Sequence, residues 1–97
     1  MDSLGTRIVG KRREKCDTLR HVAAEAGISP ALLSLIERDR HKPSPQIIVR
    51  LATVLGGDAD EWCGLLGKMT PDTESELARI ASKDPVFFRS MVRHLGR

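Results

Sequence analysis

The chain has 97 residues, 40% of them hydrophobic and 3% aromatic, enough for one small domain whose core must be aliphatic. Its net charge of +3 is unevenly spread: nine Lys and Arg stand against six acids through Pro45, and seven against seven from Gln46 onward. No apolar run approaches the roughly 18 residues of a membrane span, and Cys16 and Cys63 form no CxxC pair with nearby His. Membrane insertion and a zinc site are therefore not expected, and two free thiols in a cytoplasmic protein are.

In chain order, a first helix is predicted from Leu4, with Leu4 and Ile8 on one face and Lys11, Arg12, Arg13 and Lys15 at its negative end. Thr18 is a predicted N-cap for a second helix, in which Leu19, Val22, Ala23 and Ala26 recur at helical spacing before Gly27 stops it. Ser29-Pro30 restarts the chain as cap and first helical position, and a third helix runs to Arg38 with Leu32 or Leu33 and Ile36 inward. A polar loop from Asp39 to Pro43 leads to Ser44-Pro45 and a fourth, strongly apolar helix that ends at Gly56-Gly57. Asp58 with Glu61 fits a capping box for a fifth helix through Trp62, Leu65 and Leu66 to Gly67.

Thr70-Pro71 and Asp84-Pro85 cap two further helices, the second of which carries Val86, Phe87, Phe88, Met91, Val92 and Leu95. That much apolar surface has to pack on the domain or on a second copy. Trp62, Phe87, Phe88, Met91, Val92 and Leu95 are accordingly the candidate dimer contacts, with Trp62 also a candidate for the core between helices. No segment alternates with period two, so the predicted fold is all-α, with one unit over residues 1–67 and a helical extension over 68–97. GxSxG, P-loop and HExxH patterns are absent, and His21, His41 and His94 assemble into no triad. No enzyme, cofactor or metal function is expected.

The functional signal lies between Thr18 and Glu37. Two short helices joined by a tight turn need a small residue at their close approach, a residue free to turn left-handed, and an aliphatic plug behind it. Ala23, Gly27 and Ile28 have that order and spacing. With the capped restart at Ser29-Pro30, the LIER segment at Leu35 to Arg38 and the stretch PSPQIIVRLATVLG, residues 4–67 resemble the Cro/repressor (Xre-like) family of phage and bacterial regulators. The resemblance implies a five-helix DNA-binding domain, here with a two-helix C-terminal extension, whose third helix enters the major groove. It also implies a cytoplasmic transcriptional repressor acting as a homodimer on double-stranded DNA, and an internal ion pair between Arg12 and Glu37.

By the same resemblance, Pro30, Ala31, Ser34 and Leu35 face bases, with Arg38 at the helix end. Thr18, the Leu19 amide, Arg20, Arg40, His41, Lys42 and Ser44 are candidate phosphate contacts, while Arg7, Arg13 and Lys15 are either such contacts or plain surface. The base-facing set is short of polar readers: only Ser34 on the helix itself can hydrogen-bond, and Ala31 and Leu35 suit thymine methyl groups. Three readings stay open: specificity from methyl contacts, Arg38 and DNA shape; binding of low specificity; or a protein-interaction module, such as an antitoxin or a regulator's partner, using this apolar face or the tail.

Overall fold

Side-chain caps and left-handed stops cut the chain into seven helices in a computed structural model, which describes residues 3–95, apart from the side chains of Phe87, Phe88, Met91, His94 and Leu95. They are α1 (Leu4–Glu14), α2 (Leu19–Ala26), α3 (Pro30–Glu37), α4 (Pro45–Leu55), α5 (Ala59–Leu65), α6 (Pro71–Lys83) and α7 (Pro85–Leu95). Among the described residues there is no strand, and the fold is all-α.

Five of the predicted caps form, those that open α2 to α6. Thr18, Ser29, Ser44, Asp58 and Thr70 each accept a hydrogen bond from the backbone amide three residues on, satisfying a donor that the first helical turn leaves open. The capping box at α5 is only half made, because the Glu61 carboxylate pairs with Arg7 on α1. Gly27 and Gly56 both stop their helices at φ 72°, where a side chain would be strained. The third helix ends one residue earlier than predicted, with Arg38 as its C-cap.

The core gathers one stripe from each of α1 to α5: Leu4 and Ile8, Val22, Ala23 and Ala26, Leu33 and Ile36, Ile48, Leu51 and Leu55, Trp62 and Cys63. Each large aliphatic side chain buried here contributes about 1.5–3 kcal/mol relative to exposure. Trp62 corrects the dimer expectation. It is 2% exposed and lies against Gly57, where a Cβ would stand 2.3 Å from its ring, so its apolar surface is spent inside the chain. Both cysteines are free, Cys16 exposed and Cys63 buried, and burial together with the nearby Asp60 raises the pKa of the Cys63 thiol.

Helices α6 and α7 pack mainly on one another, which stretches the molecule to 48 Å along its longest axis against 26 and 21 Å across. The hydroxyls of Thr70 and Thr73 both donate to Asp60 Oδ1 (3.0 Å each), tying the start of α6 to α5. No helix among the described residues is long and apolar enough to cross a membrane.

Candidate nucleic-acid interface

The candidate interface is built on the α2–α3 pair. Ala23 is fully buried on α2, which α3 packs against, and Ile28 packs on the core just after the left-handed Gly27. The Gly27 and Ile28 amides return to the last carbonyls of α2, so the turn is closed by its own backbone. Leu33 and Ile36 anchor α3 from below. The opposite side of α3 carries Pro30, Ala31 and Leu35 exposed, the last at 38%, and Ser34 half-buried. Leu32 is partly buried against the core.

Arg12 and Glu37 are brought together as a fork. Arg12 Nε donates to Glu37 Oε2 (2.8 Å) and Nη2 to Oε1 (2.9 Å), while Nη1 donates to the Asp17 carbonyl (3.2 Å). The hydrogen bond to Glu37 raises the Arg12 pKa above its ordinary value against the opposing effect of burial. One guanidinium thereby links the end of α1, the lead into α2 and the last turn of α3.

The cations divide by their partners. Arg7 pairs with Glu61, and Lys15 Nζ donates to the Val54 carbonyl (3.0 Å), so both are engaged in holding helices together. Arg38 is exposed, but its Nε donates to the Ser34 carbonyl (3.3 Å), laying the side chain along the end of α3. Arg20, Arg40, His41 and Lys42 are exposed, the last three on the loop that leads from α3 to the Ser44 cap.

At the start of α2, Thr18 Oγ1 accepts from the His21 amide (3.1 Å), and Leu19 tucks its side chain against the core, leaving its amide as its polar group here. His21 stands between two carboxylates, with Nδ1 2.7 Å from Asp17 Oδ1 and Nε2 3.0 Å from Glu25 Oε1. The Asp17 hydrogen bond, and then the charges of Asp17 and Glu25, raise the His21 pKa. This flanking pair was not singled out from the sequence, although the i, i+4 spacing on both sides of His21 is visible there.

Of the remaining candidates, Val92 is 47% exposed on α7, with Val86 at 78%. The side chains of Phe87, Phe88, Met91 and Leu95 lie outside the described residues. Among the described residues no group of three or more His, Cys, Asp or Glu is placed to hold a metal ion.

No curated protein and no solved structure matches the chain. A helix-turn-helix family model matches residues 11–62, just over half of the chain, spanning the last turn of α1, the α2–α3 pair, all of α4 and the first turn of α5. The chain belongs to the Cro/C1-type (Xre-like) helix-turn-helix family, a DNA-binding family of transcriptional regulators and not a family of enzymes.

Proposed function

We propose that the protein is a dimeric transcriptional repressor, acting in the cytoplasm, that lays α3 in the major groove of double-stranded DNA. The single observation that carries this reading is the exposed outer side of α3, flanked in the chain by two elements suited to phosphate. On one side are the open amides at the start of α2 with the Thr18 hydroxyl and Arg20. On the other is the cationic loop Arg40, His41 and Lys42 leading to Ser44. Phosphate contacts from both sides set the register, and the side chains of α3 meet base edges. Arg12 and Glu37 hold the scaffold and touch no DNA. In this reading residues 1–67 form the DNA-binding domain and 68–97 the extension that joins two copies, so half-sites recur about one helical turn, roughly 34 Å, apart.

Titrating the full chain against labelled DNA from beside its own gene tests this. If each protomer neutralises about four phosphates, log affinity falls with log salt at a slope of about −3.6 per protomer. Leu35→Asp places an anion among phosphates and is expected to abolish binding while the helical content stays unchanged. Absence of binding at low salt by a folded sample ends the DNA reading. Unchanged affinity in Leu35→Asp removes α3 from the interface and favours a protein partner for its apolar side.

The extension is tested by mass. The full chain is expected to sediment as a dimer and a chain ending at Gly67 as a monomer. A shortened chain that remains dimeric overturns self-association through the tail.

A further inference from the structure

We propose that α3 reads the C5-methyl groups of the major groove, so that it favours thymine and 5-methylcytosine over uracil and cytosine without telling the two methylated bases apart. The inference rests on the placement of α3 in the groove argued above, and it names the chemical feature recognised there.

Each base pair shows the groove a pattern of donors and acceptors, and thymine adds a methyl group. Reading the pattern takes a side chain with a free donor or acceptor. Along the exposed outer side of α3 the side chains carry none, and the polar groups beside it are largely turned to the helix itself. Ser29 Oγ accepts from the Leu32 amide as the cap. Glu37 is gripped by Arg12 through both oxygens. Arg38 Nε is bonded back to the Ser34 carbonyl, which keeps the guanidinium at the C-terminal end of α3 rather than along its outer side. Ser34 is half-buried, and Pro30, Ala31 and Leu35, the exposed residues of the outer side, have no polar side-chain atom. The surface offered to the groove is therefore methyl, methylene and pyrrolidine.

Such a surface gains free energy only by covering other apolar surface, and the C5-methyl is the apolar group that a base pair presents there. Covering polar base edges with Leu35 disfavours binding, but both A·T and G·C pairs carry donors and acceptors in the major groove, so that cost does not sort them. The methyl does. Thymine and 5-methylcytosine carry it at the same carbon, and Pro30, Ala31 and Leu35 have no donor or acceptor with which to distinguish a keto oxygen from an amino group. The flanking cations Arg20, Arg40 and Lys42 supply affinity for the phosphates of any duplex.

The test uses the full chain and a duplex recovered by repeated selection from random-sequence DNA. Each T·A pair of that duplex is replaced in turn by U·A, by C·G and by 5-methylcytosine·G, and binding is measured by fluorescence anisotropy. At one or two positions thymine and 5-methylcytosine are expected to bind alike, and uracil and cytosine about fourfold more weakly per methyl lost. Leu35→Ala is expected to flatten that ratio, with its folding checked by circular dichroism, while Ser34→Ala leaves it intact. Equal affinity for thymine and uracil at every position overturns the inference, as does 5-methylcytosine behaving like cytosine. Salt-sensitive binding with no preferred sequence also overturns it but leaves DNA binding standing. No binding to any duplex removes both.

Discussion

Arg12→Met is expected to lower stability by about 3 kcal/mol, a fall in Tm of about 15 °C for a domain of this size. The Glu37 side chain is 7% exposed and that of Arg12 18%, so removing the guanidinium strands a carboxylate that water reaches poorly. Burying an ion pair is not itself stabilising, since both charges must first lose their hydration. Breaking one is costly, because the desolvated partner remains. Two comparisons separate these effects. In Arg12→Lys the charge survives but the planar fork is lost, along with the reach to the Asp17 carbonyl, and an intermediate loss is expected. In the double variant Arg12→Met with Glu37→Leu, both charges are gone and most of the stability is expected to return. Urea denaturation followed by circular dichroism measures all three, and an Arg12→Met protein within about 0.5 kcal/mol of the parent would contradict the assignment.

The legible parts of this fold are those whose cause lies within one or two helical turns. A serine or threonine before a proline, a glycine after an apolar stripe and the stripe's own period place all seven helices, because cap, stop and buried face are decided by neighbours in sequence. What escapes are the contacts that need the finished fold. Helices α1 and α3 end on left-handed residues that are not glycine, Cys16 at φ 54° and Asp39 at φ 57°, and nothing adjacent to either announces it. At Asp39 the compensation comes from more than 30 residues away, in hydrogen bonds from the Gly5 amide and the Ser3 hydroxyl. Arg7 and Lys15 read as surface cations until their partners Glu61 and Val54 are in place. The exposed outer side of α3 follows from helical geometry, whereas the engagement of Arg38 with the Ser34 carbonyl does not. The apolar stripe of α7 announces a packing surface, but periodicity cannot name its partner.

Gly5 is the position where that long-range packing is least forgiving, and Gly5→Ala is expected to cost about 3 kcal/mol. A Cβ there would stand 2.4 Å from the Glu37 carbonyl oxygen and 2.8 Å from Asp39 Oδ1. Neither atom can yield cheaply. The carbonyl belongs to the last turn of α3, and the Asp39 carboxylate is held by the Gly5 amide (2.9 Å) and Ser3 Oγ (2.6 Å). Helix α1 must therefore back away from α3, weakening the bonds by which Asp39 serves its first turn. Asp39→Gly isolates one part of this: it relieves the left-handed backbone while deleting the carboxylate, so about 1 kcal/mol is expected to be lost. Adding Gly5→Ala to Asp39→Gly is still expected to cost most of its own penalty, because the Glu37 carbonyl remains in the way. Gly10, one and a half turns further along the same helix, has no heavy atom within 4 Å of its Cβ position. Gly10→Ala is expected to stabilise by about 0.5–1 kcal/mol through helix propensity and reduced unfolded-state freedom. Opposite signs for the same substitution in one helix, measured by thermal denaturation, would show that the approach of α1 to the end of α3, and not helix propensity, selects glycine at position 5. The loop that carries Arg40, His41 and Lys42 starts at that same contact, so the packing of α1 also sets where those side chains stand.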